Sequence, residues 1–184
     1  MKKIHYDDLC RPTISTLVLP YDGNDSLHLY IDLINGRIAE LGMEGDYEEM
    51  IELGKKLMAR HKMMVSEGLI ITDAGQEKKL EKAMNRIFHA ISEDCNVSYK
   101  EYEELFPEQI LFLPCKEELV SWSEVIYPLM NSYGIVREKG YTNMDAMREA
   151  GLQNEVYDYE NSLLELRFSK WLEERDFVLV ADDH

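Results

Sequence analysis

His89 and Glu93 lie four residues apart with Cys95 just beyond, and His28 and Asp32 repeat the same interval. On a helix that interval puts two side chains on one face, where they could share a metal ion. A structural zinc site needs four ligands and a catalytic one three, and no further His, Cys or acid stands at a spacing that completes either. A ferritin-like centre would need Glu-x-x-His on two inward-facing helices, and the chain holds no such motif. The acid-rich stretches lack the register of a calcium-binding EF-hand loop. The ten glycines never cluster into a phosphate loop or a dinucleotide fingerprint. No Gly-x-Ser-x-Gly elbow is present either, and His5, His61 and His184 read as surface histidines. No cofactor and no metal are expected. An enzyme with an unrecognised carboxylate or histidine site remains an alternative that no motif supports.

The chemistry left to such a chain is recognition. Three segments interleave carboxylates with tyrosines: Asp46-Tyr47-Glu48-Glu49; Tyr99 with Glu101, Tyr102, Glu103 and Glu104; and Tyr157-Asp158-Tyr159-Glu160. Tyrosine offers rigid contact area at small entropic cost, and carboxylates accept paired bonds from arginine. A fixed array of carboxylates can imitate a phosphate backbone and occupy the basic channel of a nucleic-acid enzyme.

The charge balance points the same way. The chain carries 36 acids and 20 bases, a net charge of −16. Residues 1–54 sum to −7, residues 87–184 to −13, and residues 55–86 to +4. So acidic a molecule repels phosphate at long range and is drawn to basic surfaces at low salt. The exception is the central block: Lys55, Lys56, Arg60 and Lys62, then Lys78, Lys79, Lys82 and Arg86. It gives the rival reading of a DNA-binding regulator. Between its halves, Gly68-Leu69-Ile70-Ile71-Thr72-Asp73-Ala74-Gly75 resembles the close of winged-helix DNA-binding domains. That resemblance implies a recognition helix and a two-stranded wing, and the sequence shows neither. The plainer reading is that these lysines solvate helix faces and pair with nearby acids.

The elements that would position these groups are mostly helical. Apolar residues make up 45% of 184, enough for a real core. Tyr47, Met50, Ile51, Leu53, Leu57 and Met58 form a helical stripe from Asp46 onward, and Leu80, Met84, Ile87, Phe88 and Ile91 form a second after a Thr72 or Asp73 cap. Ser98 followed by Glu101 caps a short helix holding Tyr102. Ile110–Leu113 is a short strand or apolar loop between prolines. A helix then runs from Lys116 to about Tyr133, kinked or ended by Pro128. Short and long helices follow, to Ala150 and over Asn154–Arg175, and Phe177–Val180 reads as a last strand.

The N-terminal part is the β candidate. Thr13–Leu19, Leu27–Ile34 and Arg37–Leu41 read as a meander whose second turn is Asn35-Gly36, the type I′ hairpin signal. Leu27, Tyr30, Ile31, Ile34, Ile38 and Leu41 also fit helical spacing, which is the competing reading.

The expected architecture is therefore α+β and predominantly helical: a small N-terminal antiparallel meander packed on five or six helices, with all-α as the alternative. The chain reads as one domain with a β-rich part (1–45), a helical pair with a basic face (46–95) and an acidic helical part (96–184). No apolar run approaches the roughly 18 residues of a membrane span, and the N-terminus turns acidic where a signal peptide would be apolar. Cys10, Cys95 and Cys115 read as free thiols of a reducing compartment. A cytoplasmic protein is expected, with no membrane partner. Its expected activity is non-catalytic binding of a basic protein surface, in the sharpest form stoichiometric inhibition of a nucleic-acid-handling enzyme of the anti-restriction, anti-CRISPR or nuclease-immunity type. A homo-oligomeric scaffold, built on an exposed apolar face near Trp122 or Trp171, is a further alternative.

Overall fold

The computed structural model describes residues 1–6, 27–42, 47–92 and 100–181. Among them the fold is α+β and predominantly helical, with seven helices and five strands. The chain forms two compact units, one of Asp22–Leu113 and one of Met1–Tyr21 with Pro114–His184.

In the Asp22–Leu113 unit, β2 (Leu27–Asp32) and β3 (Arg37–Gly42) form an antiparallel hairpin, and β4 (Ile110–Phe112) adds antiparallel to the other side of β2. The hairpin is the expected one, and the helical reading of this stretch fails. The turn differs from the type I′ expectation. Asp32 pairs with Arg37, so the loop holds four residues, and Gly36 alone in it has positive φ, at 64°. The Asp32 carboxylate is the physical reason. It accepts the amides of Ile34 (3.1 Å) and Asn35 (3.2 Å), which ends the strand early and curls the backbone. Thr13–Leu19, the other member of the expected meander, lies outside the described residues.

Two long helices cover this sheet: α1 (Tyr47–Ser66) and α2 (Ala74–Ser92), followed by the short α3 (Lys100–Leu105). Their apolar stripes meet in a core of Met50, Leu57, Met84, Ile87, Tyr102 and Phe106. Gly54 lets α1 approach the others closely, since a Cβ there would stand 2.7 Å from the Phe88 ring and 3.0 Å from the Tyr102 hydroxyl. Gly68, at φ 71°, closes α1, and the stretch resembling a winged-helix close is the α1–α2 connection. Asp73 is the cap of α2. Its carboxylate accepts the Gly75 and Gln76 amides, and Gln76 returns a bond to the Asp73 amide.

In the other unit, β1 (Lys2–Tyr6) pairs in parallel with β5 (Phe177–Ala181), an N-terminal strand the sequence did not suggest. The helix expected from Lys116 to Tyr133 is broken into α4 (Lys116–Leu119) and α5 (Trp122–Tyr133). Ser121 restarts the chain as an N-cap, its amide donating to Glu124 at 3.0 Å. Pro128 sits inside α5 without ending it; Gly134, at φ 65°, does that. α6 (Asn143–Glu149) is capped by Thr142, and α7 (Gln153–Glu173) runs through the core of this unit, with Val156, Leu164, Phe168 and Leu172 inward.

Candidate functional site

The central basic block lies on α1 and α2, and most of it is spent within its own unit. Arg60 reaches the Asp32 carboxylate at 2.8 Å and Lys56 stands 3.8 Å from it. Lys55 pairs with Glu52 at 2.8 Å, Lys62 lies 3.8 Å from Glu81, and Arg86 is held by Glu101. Lys78, Lys79 and Lys82 are exposed and have no ion-pair partner among the described residues. The block is therefore a zone of local charge balance with three solvated lysines on α2. Asp32 shows how firm the balance is. Burial alone would raise its pKa, but the bonds from Arg60 and the turn amides outweigh that and hold the carboxyl below its ordinary value.

The acidic–aromatic segments separate into structural and exposed groups. Asp46 and Tyr99 lie outside the described residues, and Tyr47 opens α1. Glu48 and Glu49 are exposed in its first turn, where the helix dipole favours them. Tyr102 is wholly buried and donates to the Met50 carbonyl at 2.8 Å. Burial, with the charge of Glu101 second, pushes its phenol well up. Glu101 holds Arg86, and Glu103 accepts the Phe112 amide at 2.9 Å, fastening α3 to β4. Among the described residues of that segment, only Glu104 is exposed and unengaged. On α7, Glu160 is buried and accepts from Lys116 at 2.8 Å, while Tyr159 is half-buried.

The outer face of α7 is different. Tyr157, 45% exposed, stands beside exposed Asp158, and Asn161, Glu165 and Leu166 continue the same side one and two turns on. Here, unlike at Tyr102, a ring and its neighbouring carboxylate are both exposed.

Sequence reading missed a cavity in the Asp22–Leu113 unit. It is an open groove of about 550 Å³, a size ordinary for ligand sites, and lies among the α1–α2 connection, the start of α2 and the turn after α3. His61 lines it, buried rather than on the surface, with its ring edge-on to Phe106 at 6.1 Å. The His61 Nε2 stands 2.8 Å from Glu77 Oε1, and the Thr72 hydroxyl donates to the same oxygen at 2.5 Å. The Thr72 bond first, then the His61 bond, hold Glu77 below the usual carboxylate range. One oxygen serving two partners closes the start of α2 against α1. The lining residues include no serine or cysteine, and the Thr72 hydroxyl is spent on Glu77. The signal for an inward His61 was its spacing: Leu53, Leu57 and His61 fall at four-residue steps on the buried side of α1.

Elsewhere, His28 and Asp32 sit on a strand, which separates them by roughly 13 Å at about 3.3 Å per residue, and Asp32 is engaged by Arg60. Glu93, Cys10 and Cys95 lie outside the described residues; Cys115 is a free thiol raised chiefly by burial. No three metal-ligating side chains gather among the described residues, and no helix there is long and apolar enough to cross a membrane. In the second unit, Arg167 grips both oxygens of Glu124 (2.6 and 3.3 Å) and the Leu119 carbonyl (2.8 Å). Those bonds, with two from Ser121, hold Glu124 down to about 2. Comparison with known proteins returned no matching family model, curated protein or solved structure.

Proposed function

We propose that the protein is a non-catalytic acidic module that binds a basic protein surface. The observation carrying this reading is the fate of the central bases: five of the eight have carboxylate partners within their own unit. The one positive stretch of the sequence is thus largely neutralised. A surplus of acid remains in both units, 19 acids against 10 bases in residues 22–113 and 17 against 10 in the rest. The α7 face supports the same reading, since Tyr157 can supply contact area while Asp158 and Glu165 pair with arginine or lysine. Direct DNA binding through the central block would need Lys55, Arg60, Lys78 and Arg86 as one positive patch, and three of those four are engaged by carboxylates. The sharper form of the proposal is a phosphate-mimicking decoy, a stoichiometric inhibitor seated in the basic channel of a nucleic-acid-handling enzyme.

The test is capture of partners from lysate by the tagged full chain at low and high salt, alongside an Asp158→Lys/Glu165→Lys variant. The expected result is a partner with a basic face, bound at low salt, weakened at high salt and weakened again by the variant. A nuclease, helicase or restriction enzyme among those partners would support the decoy form. Failure to retain any partner at low salt would overturn the reading, as would a partner indifferent to both salt and the charge reversal.

A further inference from the structure

The 550 Å³ cavity has a composition that the closing network of His61, Thr72 and Glu77 does not account for. Part of the lining is apolar: Ile70, Ile71, Leu80, Leu105 and Pro107. Ile71 is 94% exposed, and Leu69, two residues before it and outside the lining, 67%, so the α1–α2 connection holds two large aliphatic side chains out into water. Another part is acidic. Glu104, at the end of α3, and Glu108, in the turn after it, are exposed, and neither forms an ion pair or hydrogen bond among the described residues. With Glu77 they give three carboxylates against the single ammonium of Lys79.

An apolar lining with an excess of acid over base fits a side chain that has an apolar stem and a cationic head. Arginine suits it better than lysine, because guanidinium is weakly hydrated, packs flat on apolar surface and meets two carboxylates at once. Resting on the reading above that the partner is basic, we propose that this cavity seats an arginine of the partner protein, flanked by an apolar residue that covers Leu69 and Ile71. The pocket would then supply the apolar anchor while the wider acidic surface supplies attraction at a distance. That division matches the usual separation of a desolvated centre from a charged rim.

The probe is a hexapeptide alternating leucine and arginine, titrated into the methyl-labelled full chain and followed by NMR. The expected result is shifts at the Ile70, Ile71 and Leu80 methyls. A Glu104→Gln/Glu108→Gln variant should bind the peptide about tenfold more weakly. An Ile71→Ser variant should weaken it independently, and both should leave the thermal midpoint unchanged because these side chains are exposed. The pocket assignment is overturned by equal binding of a citrulline peptide, by undiminished affinity in the double variant, or by methyl shifts on diluting the protein alone, which would mean that a second copy fills the groove. Salt-sensitive binding of the arginine peptide with shifts confined to α7 would overturn the pocket while leaving the basic-partner reading intact. No binding of the peptide together with an empty lysate capture would overturn both.

Discussion

Asp32 is where one residue settles the most. Its carboxylate accepts two turn amides, the Asn35 side chain at 2.9 Å and Arg60 at 2.8 Å, so hairpin shape and helix docking depend on the same two oxygens. Asp32→Asn should cost about 2–4 kcal/mol, because Arg60 is left largely buried without its counter-charge. Urea unfolding at neutral pH measures it. The folded-state pKa lies below the ordinary 3.8, so the charge contributes fully above that value and is lost as pH falls through the folded one. The gap between wild type and variant should therefore narrow as pH falls below 3.8, and a constant gap would show that charge plays no part. Tyr102 illustrates the opposite kind of outcome, a residue singled out for recognition that the fold consumes. Tyr102→Phe should lower stability by about 1 kcal/mol through loss of the bond to Met50. It should leave partner capture unchanged; a loss of capture in a well-folded variant would contradict the buried placement.

Among the elements, α1 and α2 are held close by an absent side chain. Gly54→Ala gains up to about 1 kcal/mol of helix propensity but drives a methyl to 2.7 Å from Phe88 and 2.9 Å from Met84. Overpacking of that kind costs about 1–3 kcal/mol, so a net loss of roughly 0.5–2 kcal/mol is expected by thermal or denaturant unfolding. A stabilised variant would mean that the two helices separate more readily than their packing implies. Both helices were legible from their apolar stripes, and the hairpin from Asn35-Gly36. The break at Ser121 was legible in principle, since Ser121 and Glu124 have capping-box spacing. An apolar stripe running across it, from Leu119 through Trp122 to Val125, concealed it. Turn type was less accessible, because two side-chain bonds from Asp32 outweighed the local preference of Asn-Gly.

For the whole molecule the governing quantity is a net charge of −16. At about 0.1 M salt, surface charges act over roughly 10 Å, so the association rate of a captured partner should fall steeply as salt rises while its dissociation rate changes less. Stopped-flow mixing at several ionic strengths would show it, and a salt-independent association rate would remove long-range attraction from the account. The acidic excess, the helical periodicity and the α+β class are properties of composition and local order, and the sequence by itself determined them. Which charges remain available to a partner is a different matter. Asp32 meets Arg60, Glu101 meets Arg86 and Glu160 meets Lys116 across sequence separations of 28, 15 and 44 residues. The strand Lys2–Tyr6 likewise finds its partner in Phe177–Ala181, near the other end of the chain. Pairings over such distances leave no periodic trace in the sequence, because they depend on where packing brings the backbone, and only the tertiary structure decided them.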